Sequence, residues 1–294
     1  MKILAIASLT LREALRKKII LAGVVLTLLF LALYATGVHF AMASLSQSGV
    51  QGDTPGGLAG ARAFVEFQAA MFLFMGLFVA NMIGALVAVF SACGAVSGEL
   101  EQGTLQSLAA RPIRRSHLIL GKWLGYSAML ALYVGALFSL LILIVYSQSG
   151  WSPPNVTLAG LAFIAGAIVI LSAALFGSVL LPTAANAVVV LMLFMTALVG
   201  GLMEQIGVLI GKEALFTTGI VSSLIMPTDA LYRYSIHLLQ PPSNPAGAFM
   251  PQGAASMGPF GSASPPSAWM LVYALLFTIV LLNAAIATFS KRDL

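Results

Sequence analysis

The apolar runs of this chain are too long and too frequent for a fold solvated by water. They extend over Ile19–Phe40, Ala69–Gly94, Trp123–Tyr146, Val156–Leu181, Ala187–Met203 and Ala268–Phe289. About 20 apolar residues in a helix cross the roughly 30 Å hydrocarbon layer of a bilayer. All but the fifth run reach that length, and the fifth is short for a full crossing. Hydrophobic residues make up 60% of the chain and charged residues only 8%, where a soluble domain carries about 25% charge. Too few polar groups remain to cover a globular surface, so lipid is the main solvent. The expected fold is an all-α integral membrane protein with six transmembrane helices.

Charge placement orients those helices. The formal net charge is +5. Lys2, Arg12, Arg16, Lys17, Lys18, Arg111, Arg114, Arg115, Lys122, Lys291 and Arg292 all fall on one side of six crossings. Arg62, Lys212 and Arg233 fall on the other. The positive-inside rule then puts both termini in the cytoplasm. Basic residues beside apolar spans suit anionic headgroups and topology setting, not nucleic acid. Cys93 is the only cysteine, which excludes an internal disulfide and a cysteine-pair metal site. It reads as a small apolar residue near a span end. No cleavable signal peptide is expected, because the first apolar run is too long for a signal core.

Between the second and third spans lies the one polar interval of the first two-thirds that also clusters positive charge, ELEQGTLQSLAARPIRRSHLILGK, residues 99–122. Gly103 breaks the preceding helix. Thr104 is suited to cap a short helix from Leu105 to Arg111, through Leu108, because its hydroxyl accepts an otherwise unpaired amide. Pro112 ends that helix by pushing its predecessor away from helical geometry. Arg114, Arg115 and Lys122 add charge, and Ser116 caps the next long helix. The expected shape is a short helix across the mouth of two spans.

The order Glu99-x-Glu101-x-Gly103-Thr104-Leu105, Arg111-Pro112-Ile113-Arg114-Arg115, Leu120-Gly121-Lys122 resembles the first cytoplasmic loop of type-2 ABC export permeases. The hydropathy layout extends that resemblance, more weakly, over nearly the whole chain. It implies that Leu105 to Arg111 is a coupling helix gripped by a separate ATPase subunit. Glu99 and Glu101 would hold the helix to its own span or to nearby basic groups. Arg111, Arg114 and Arg115 would face acidic groups of the ATPase or lipid phosphates. It further implies a homodimer of permeases with two ATPase copies, in the plasma membrane. ATP and Mg would be bound by the partner, with no cofactor or metal in this chain.

The flanking regions fit the same plan. Residues 1–18 are amphipathic, with Ile3, Leu4, Ala7, Leu11, Ala14 and Leu15 on one face. Such a helix lies in the membrane interface, like the elbow helix that opens type-2 permeases, or serves as a charged anchor for the first span. Residues 41–68 read as an external connection in which Arg62 and Glu66 can pair four apart. Within the second span, Asn81 is expected to hydrogen-bond a neighbouring helix. Trp123 is expected at the headgroup level, and Pro182, Thr183 and Asn186 mark a cytoplasmic turn. Residues 204–267 are external. Their first part, Gln205 to Met226, carries Lys212 and Glu213, which make a full crossing costly. Two short re-entrant helices, as in the family, are expected there before the last span. The rest reads as loop, ordered around Pro227-Thr228-Asp229-Ala230-Leu231-Tyr232-Arg233. That segment resembles a Pro-x-Asp-x-x-x-Arg element of related permeases, or is a helix start capped by Thr228 or Asp229.

Catalytic motifs are absent. No Gly-x-x-x-x-Gly-Lys-Ser/Thr phosphate loop occurs, since Gly121-Lys122 lacks the upstream glycine and the following hydroxyl. Neither His-Glu-x-x-His nor Gly-x-Ser-x-Gly occurs. His39, His117 and His237 are scattered, and Met226, Met250 and Met257 read as packing rather than a Cu(I) site. The expected function is thus the permease subunit of an ATP-driven exporter, with a hydrophobic or amphipathic cargo. Two rivals are a non-transporting ABC-like relay to envelope partners and an ATP-independent channel or carrier.

Overall fold

A computed structural model describes residues 2–16, 18–47, 57–98, 115–240 and 267–291, which form nine helices and no strand among the described residues. They are α1 (Lys2–Arg16), α2 (Lys18–Gln47), α3 (Gly57–Ala92), α4 (Arg115–Ser149), α5 (Val156–Leu180), α6 (Thr183–Ile210), α7 (Glu213–Ile225), α8 (Thr228–Leu239) and α9 (Trp269–Lys291). Six of them are long and apolar enough to cross a membrane: α2, α3, α4, α5, α6 and α9. The count becomes seven if the bent pair α7 and α8 is taken as one broken span.

The bundle is built around α5. Its apolar window is 72% buried, against 17% for α2 and α9. It is apolar on every side, so it is suited to a position inside the bundle. Small residues along it, among them Ala159, Gly160, Ala167 and Ala174, let neighbouring backbones approach. Around α5 stand α3, α4, α6, α8 and α9. Phe74, Leu77, Leu130, Leu137, Ile170 and Leu171 fill the spaces between them. An aromatic chain, Phe138–Phe163–Tyr232–Phe78, runs through that core with ring centroids 5.5, 6.4 and 6.3 Å apart. On α2 and α9, Leu21, Leu28, Leu33, Leu275 and Val280 point outward. In water such a surface would be a large exposed apolar patch; in lipid it is the solvated face.

Polar side chains tie the outer helices on. The Tyr34 hydroxyl donates to the Phe72 carbonyl at 2.8 Å. Its ring lies over Gly76, where a Cβ would stand 2.8 Å away. Tyr133 donates to the Gly23 carbonyl at 3.3 Å and meets the Thr27 hydroxyl. His39 Nδ1 pairs with Gln148 Oε1 at 3.1 Å, joining the ends of α2 and α4. Trp123 turns inward, its indole N–H donating to Ser172 Oγ on α5 at 2.9 Å, so a helix–helix bond displaces the expected headgroup position.

Several boundaries differ from the sequence reading. The second span starts earlier, at Arg62. No glycine or proline lies between Ala61 and Gln68, so nothing there breaks a helix and α3 extends well before the apolar run. Arg62 is exposed and forms no pair with Glu66. Asn81 is half-buried and makes no side-chain hydrogen bond among the described residues. The fifth span is not short, since α6 continues through Glu204 and Gln205 to Ile210. It stops at Gly211, whose φ of 68° is left-handed and suits glycine. The expected pair of short helices exists but lies further along the chain. α7 and α8 meet at 109° across Met226–Pro227. Pro227 stands at the start of α8, and neither Thr228 nor Asp229 caps it with a side chain.

α1 lies along α4. Thr10 and Ala14 are buried, whereas Leu4 and Leu9 are 71% and 66% exposed. Ile3, Ala7, Leu11 and Ala14 thus share the covered side, as the apolar spacing suggests, and Leu4 is outside it. Two glycines of α4 make the seat. A Cβ at Gly125 would stand 2.7 Å from the Ala7 carbonyl oxygen, and one at Gly121 would stand 2.6 Å from Ile6 Cγ2. Gly125→Leu will push α1 off α4 at a cost of about 1–3 kcal/mol. Maleimide labelling of a Thr10→Cys probe in membranes will rise several-fold in that variant, and unchanged labelling would refute the packing role of Gly125.

Candidate functional site

Of the residues singled out in the basic interval, Glu99, Glu101, Gly103, Thr104, Leu105, Leu108, Arg111, Pro112 and Arg114 lie outside the described residues. Arg115 opens α4, and Lys122 sits two turns into it. The two roots of the interval are therefore described, and a buried polar cluster joins them.

α3 ends at Ala92, and residues 93–98 continue as hydrogen-bonded turns. A helix end leaves carbonyls without intrahelical partners, and inside a membrane protein each needs a donor. Here the donors come from other helices. Lys122 Nζ donates to the Ala95 carbonyl. Asn186 Nδ2, in the first turns of α6, donates to the Cys93 carbonyl at 3.0 Å and to the Ala174 carbonyl at 2.8 Å. Both hydrogens of one amide are thus spent on two carbonyls, one at the end of α3 and one within α5. Ser97 Oγ also donates to the Cys93 carbonyl, at 3.2 Å, and shares a hydrogen bond with Thr183 Oγ1 at 2.9 Å. Ser97 and Lys122 are 5% exposed and Asn186 is fully buried. A cation at a helix C-terminus also meets the negative end of the dipole. Lys122 is consequently fastened to the residues that follow α3.

Glycines make room for this arrangement. At Gly177 a Cβ would stand 1.9 Å from Asn186 Oδ1. At Gly94 it would stand 3.1 Å from Thr183 Cγ2. In the sequence alone Thr183 and Asn186 mark a turn. Their bonding role is hidden there because the turn shrinks to Leu181 and Pro182, which places both residues on α6 beside the end of α3.

At the far end of α6 is a second cluster. Arg233 Nε donates to Asp229 Oδ2 at 2.7 Å, and Nη2 meets the same oxygen. Nη1 stands 3.3 Å from Glu204 Oε2. The side chains of Arg233, Asp229 and Glu204 are 5%, 11% and 17% exposed. Three glycines bring the helices together. A Cβ at Gly201 would lie 2.0 Å from Asp229 Oδ2, one at Gly200 would lie 1.6 Å from Ser222 Oγ, and one at Gly219 would lie 2.4 Å from Glu204 Cβ. Ser235 Oγ donates to the Ala159 carbonyl of α5 at 2.9 Å, and Tyr232 OH reaches the Phe74 carbonyl of α3 at 3.4 Å. Thus α8 is bonded to α3, α5 and α6. Asp229 and Arg233 belong to the Pro-x-Asp-x-x-x-Arg segment of the sequence. Glu204 reads in the sequence only as the first residue past the fifth run.

Between these clusters an apolar groove of about 700 Å³ runs along α6 and α7, lined by Met192, Met195, Val199, Met203, Thr218 and Ser222 among others. It offers dispersion contacts and little else. Among the described residues no group of three or more His, Cys, Asp or Glu side chains gathers to hold a metal. Met226 is buried, while Met250 and Met257 lie outside the described residues.

A family model described as ABC-2 family transporter protein matches residues 4–294. No curated protein matches the chain.

Proposed function

The chain belongs to the ABC-2 transporter family and is a multi-pass membrane permease subunit of such a transporter; on that premise we propose that it forms the pathway of an ATP-driven exporter as a homodimer. Two separately encoded ATPase subunits bind ATP and Mg and grip residues 99–122 from the cytoplasm, with the helix Leu105 to Arg111 as the contact. Both termini face the cytoplasm of the plasma membrane. Permease and ATPase share the work as their chemistry requires, since this sequence carries no phosphate-binding loop.

The observation that supports this reading most directly is the anchoring of that interval. Its two roots meet a buried lattice of Lys122, Ser97, Thr183 and Asn186 that joins four helices. Fastened in this way, the interval bears on four helices and not only on the two spans it connects. A cytosolic motor pushing on it meets a stiff assembly, because breaking the lattice strands buried polar groups. On this reading α1 is the elbow, and the exposure of Leu4 and Leu9 suits a helix lying against lipid.

The test is co-purification. Affinity-tagged permease will bring down its ATPase subunit, and Leu105→Asp or Gly103→Pro will reduce recovery by at least tenfold while leaving the permease folded. Recovery unchanged by both substitutions would remove the coupling claim. ATP-dependent movement of cargo in sealed inside-out vesicles tests export. ATP turnover with nothing crossing would leave a relay instead.

A further inference from the structure

We propose that Asn186, Thr183 and Ser97 are positioning residues of a second transmission route, which carries displacement of the 99–122 interval into α6 through the α5–α6 turn. The inference rests on the coupling reading above and extends it to a part of the chain that makes no sequence contact with the interval.

The argument begins with connectivity. Residues 93–98 lead directly into the interval, and Lys122 closes it. Motion of the interval must therefore act on the end of α3 and the start of α4. Neither helix is covalently near α6. The link is polar: Asn186 Nδ2 to the Cys93 carbonyl, and Thr183 Oγ1 to Ser97 Oγ. Asn186 also holds the Ala174 carbonyl, so the last turns of α5 move with the same amide. At 0% exposure, water has no access to Asn186 to replace these bonds. Opening the cluster leaves amide and carbonyl groups unpaired in a medium of low dielectric, so it shifts as a unit.

The rest follows from stiffness. α6 runs without a break from Thr183 to Ile210, about 40 Å at 1.5 Å per residue. Tilt imposed at its first turn is delivered along its length. Met192, Met195 and Met203 line the groove on that length, and Glu204 holds Arg233 at its end. The groove and α8 are therefore both driven from the interval through α6. α3 also reaches α8 through Tyr232, whereas the groove is lined by α6 and α7.

The experiment uses the complete complex of permease and ATPase in lipid nanodiscs. An environment-sensitive fluorophore on Met203→Cys reports the groove, native Cys93 being buried. Trapping the ATPase in its nucleotide-bound state will shift the emission of the otherwise unaltered chain. Asn186→Leu will cut that shift at least threefold in complexes that retain the ATPase. Thr183→Val, which removes only one hydroxyl, will give an intermediate shift and settles the matter if Asn186→Leu does not fold. Lys122→Arg, which retains a donor for the Ala95 carbonyl, will keep the response that Lys122→Met weakens. An undiminished shift in both Asn186→Leu and Thr183→Val overturns the inference, as does a bound ATPase whose nucleotide state never alters the probe. Failure of the ATPase to bind the unaltered chain overturns the coupling reading itself, a separate outcome.

Discussion

Arg233→Met will destabilise the folded chain by about 3–5 kcal/mol, the usual consequence of removing one partner from a buried ion pair. The guanidinium meets both Asp229 and Glu204. Without it two carboxylates remain, on closely packed helices, in a pocket from which water is largely excluded. Gly200, Gly201 and Gly219 hold α6, α7 and α8 at distances that admit no Cβ. The cost therefore falls on the contact between α8 and α6, and α8 separates before the bundle unfolds. Arg233→Lys will recover only part of the loss, because one ammonium cannot reproduce the fork that faces two carboxylates. Adding Asp229→Asn and Glu204→Gln to Arg233→Met will recover most of it, since neutral amides remove the uncompensated charge. Thermal unfolding in detergent, run as a double-mutant cycle, reads these differences. Equal melting temperatures for Arg233→Met and the native chain would show that the cluster is solvated.

What the sequence reveals and what it conceals follow one physical division. Hydropathy has to be satisfied along each helix by itself, so all six spans are apparent in one dimension. The fourth agrees to within a residue, over Val156–Leu180. Polar pairing is satisfied between helices and carries no such local mark. Glu204 reads as a point of exit from the membrane because its partner, Arg233, lies far along the chain in a segment that reads mostly as loop. Once paired, it no longer ends the helix, and α6 grows to Ile210. Asn81 and Asn186 are chemically alike, and the apolar run around Asn81 points to the wrong one as the interhelical donor. Only Asn186 stands opposite a helix end with carbonyls to fill. The neighbourhood of Lys122 is legible and its direction is not, because a lysine beside a basic run looks exposed until its carbonyl acceptor is known. Gly121 is part of the resemblance, yet its fit beneath Ile6 appears only when α1 is laid on α4.

The same division makes Gly177 a sharp test of the cluster at the root of the interval. On helix propensity alone, replacing a mid-helix glycine by alanine gains about 1 kcal/mol. Gly37 of α2, where an added Cβ would have nothing within 4 Å, will show that gain or a neutral effect. Gly177→Ala will do the opposite. Its Cβ would stand 1.9 Å from Asn186 Oδ1 and 2.9 Å from Cγ, so the amide must leave its site. Overpacking costs about 1–3 kcal/mol, and a buried amide cut off from its acceptors costs about 1–3 kcal/mol more. After the propensity gain the net loss is about 1–5 kcal/mol. Combining Gly177→Ala with Asn186→Ala will restore much of it, because the smaller side chain vacates the space, while the link from α6 to the Cys93 carbonyl stays broken. That pair therefore separates two quantities that a single substitution confounds. The doubly substituted chain will melt near the native temperature, yet its groove will answer nucleotide at the ATPase as weakly as Asn186→Leu does. Recovery of both stability and response would mean that α6 is driven by packing alone.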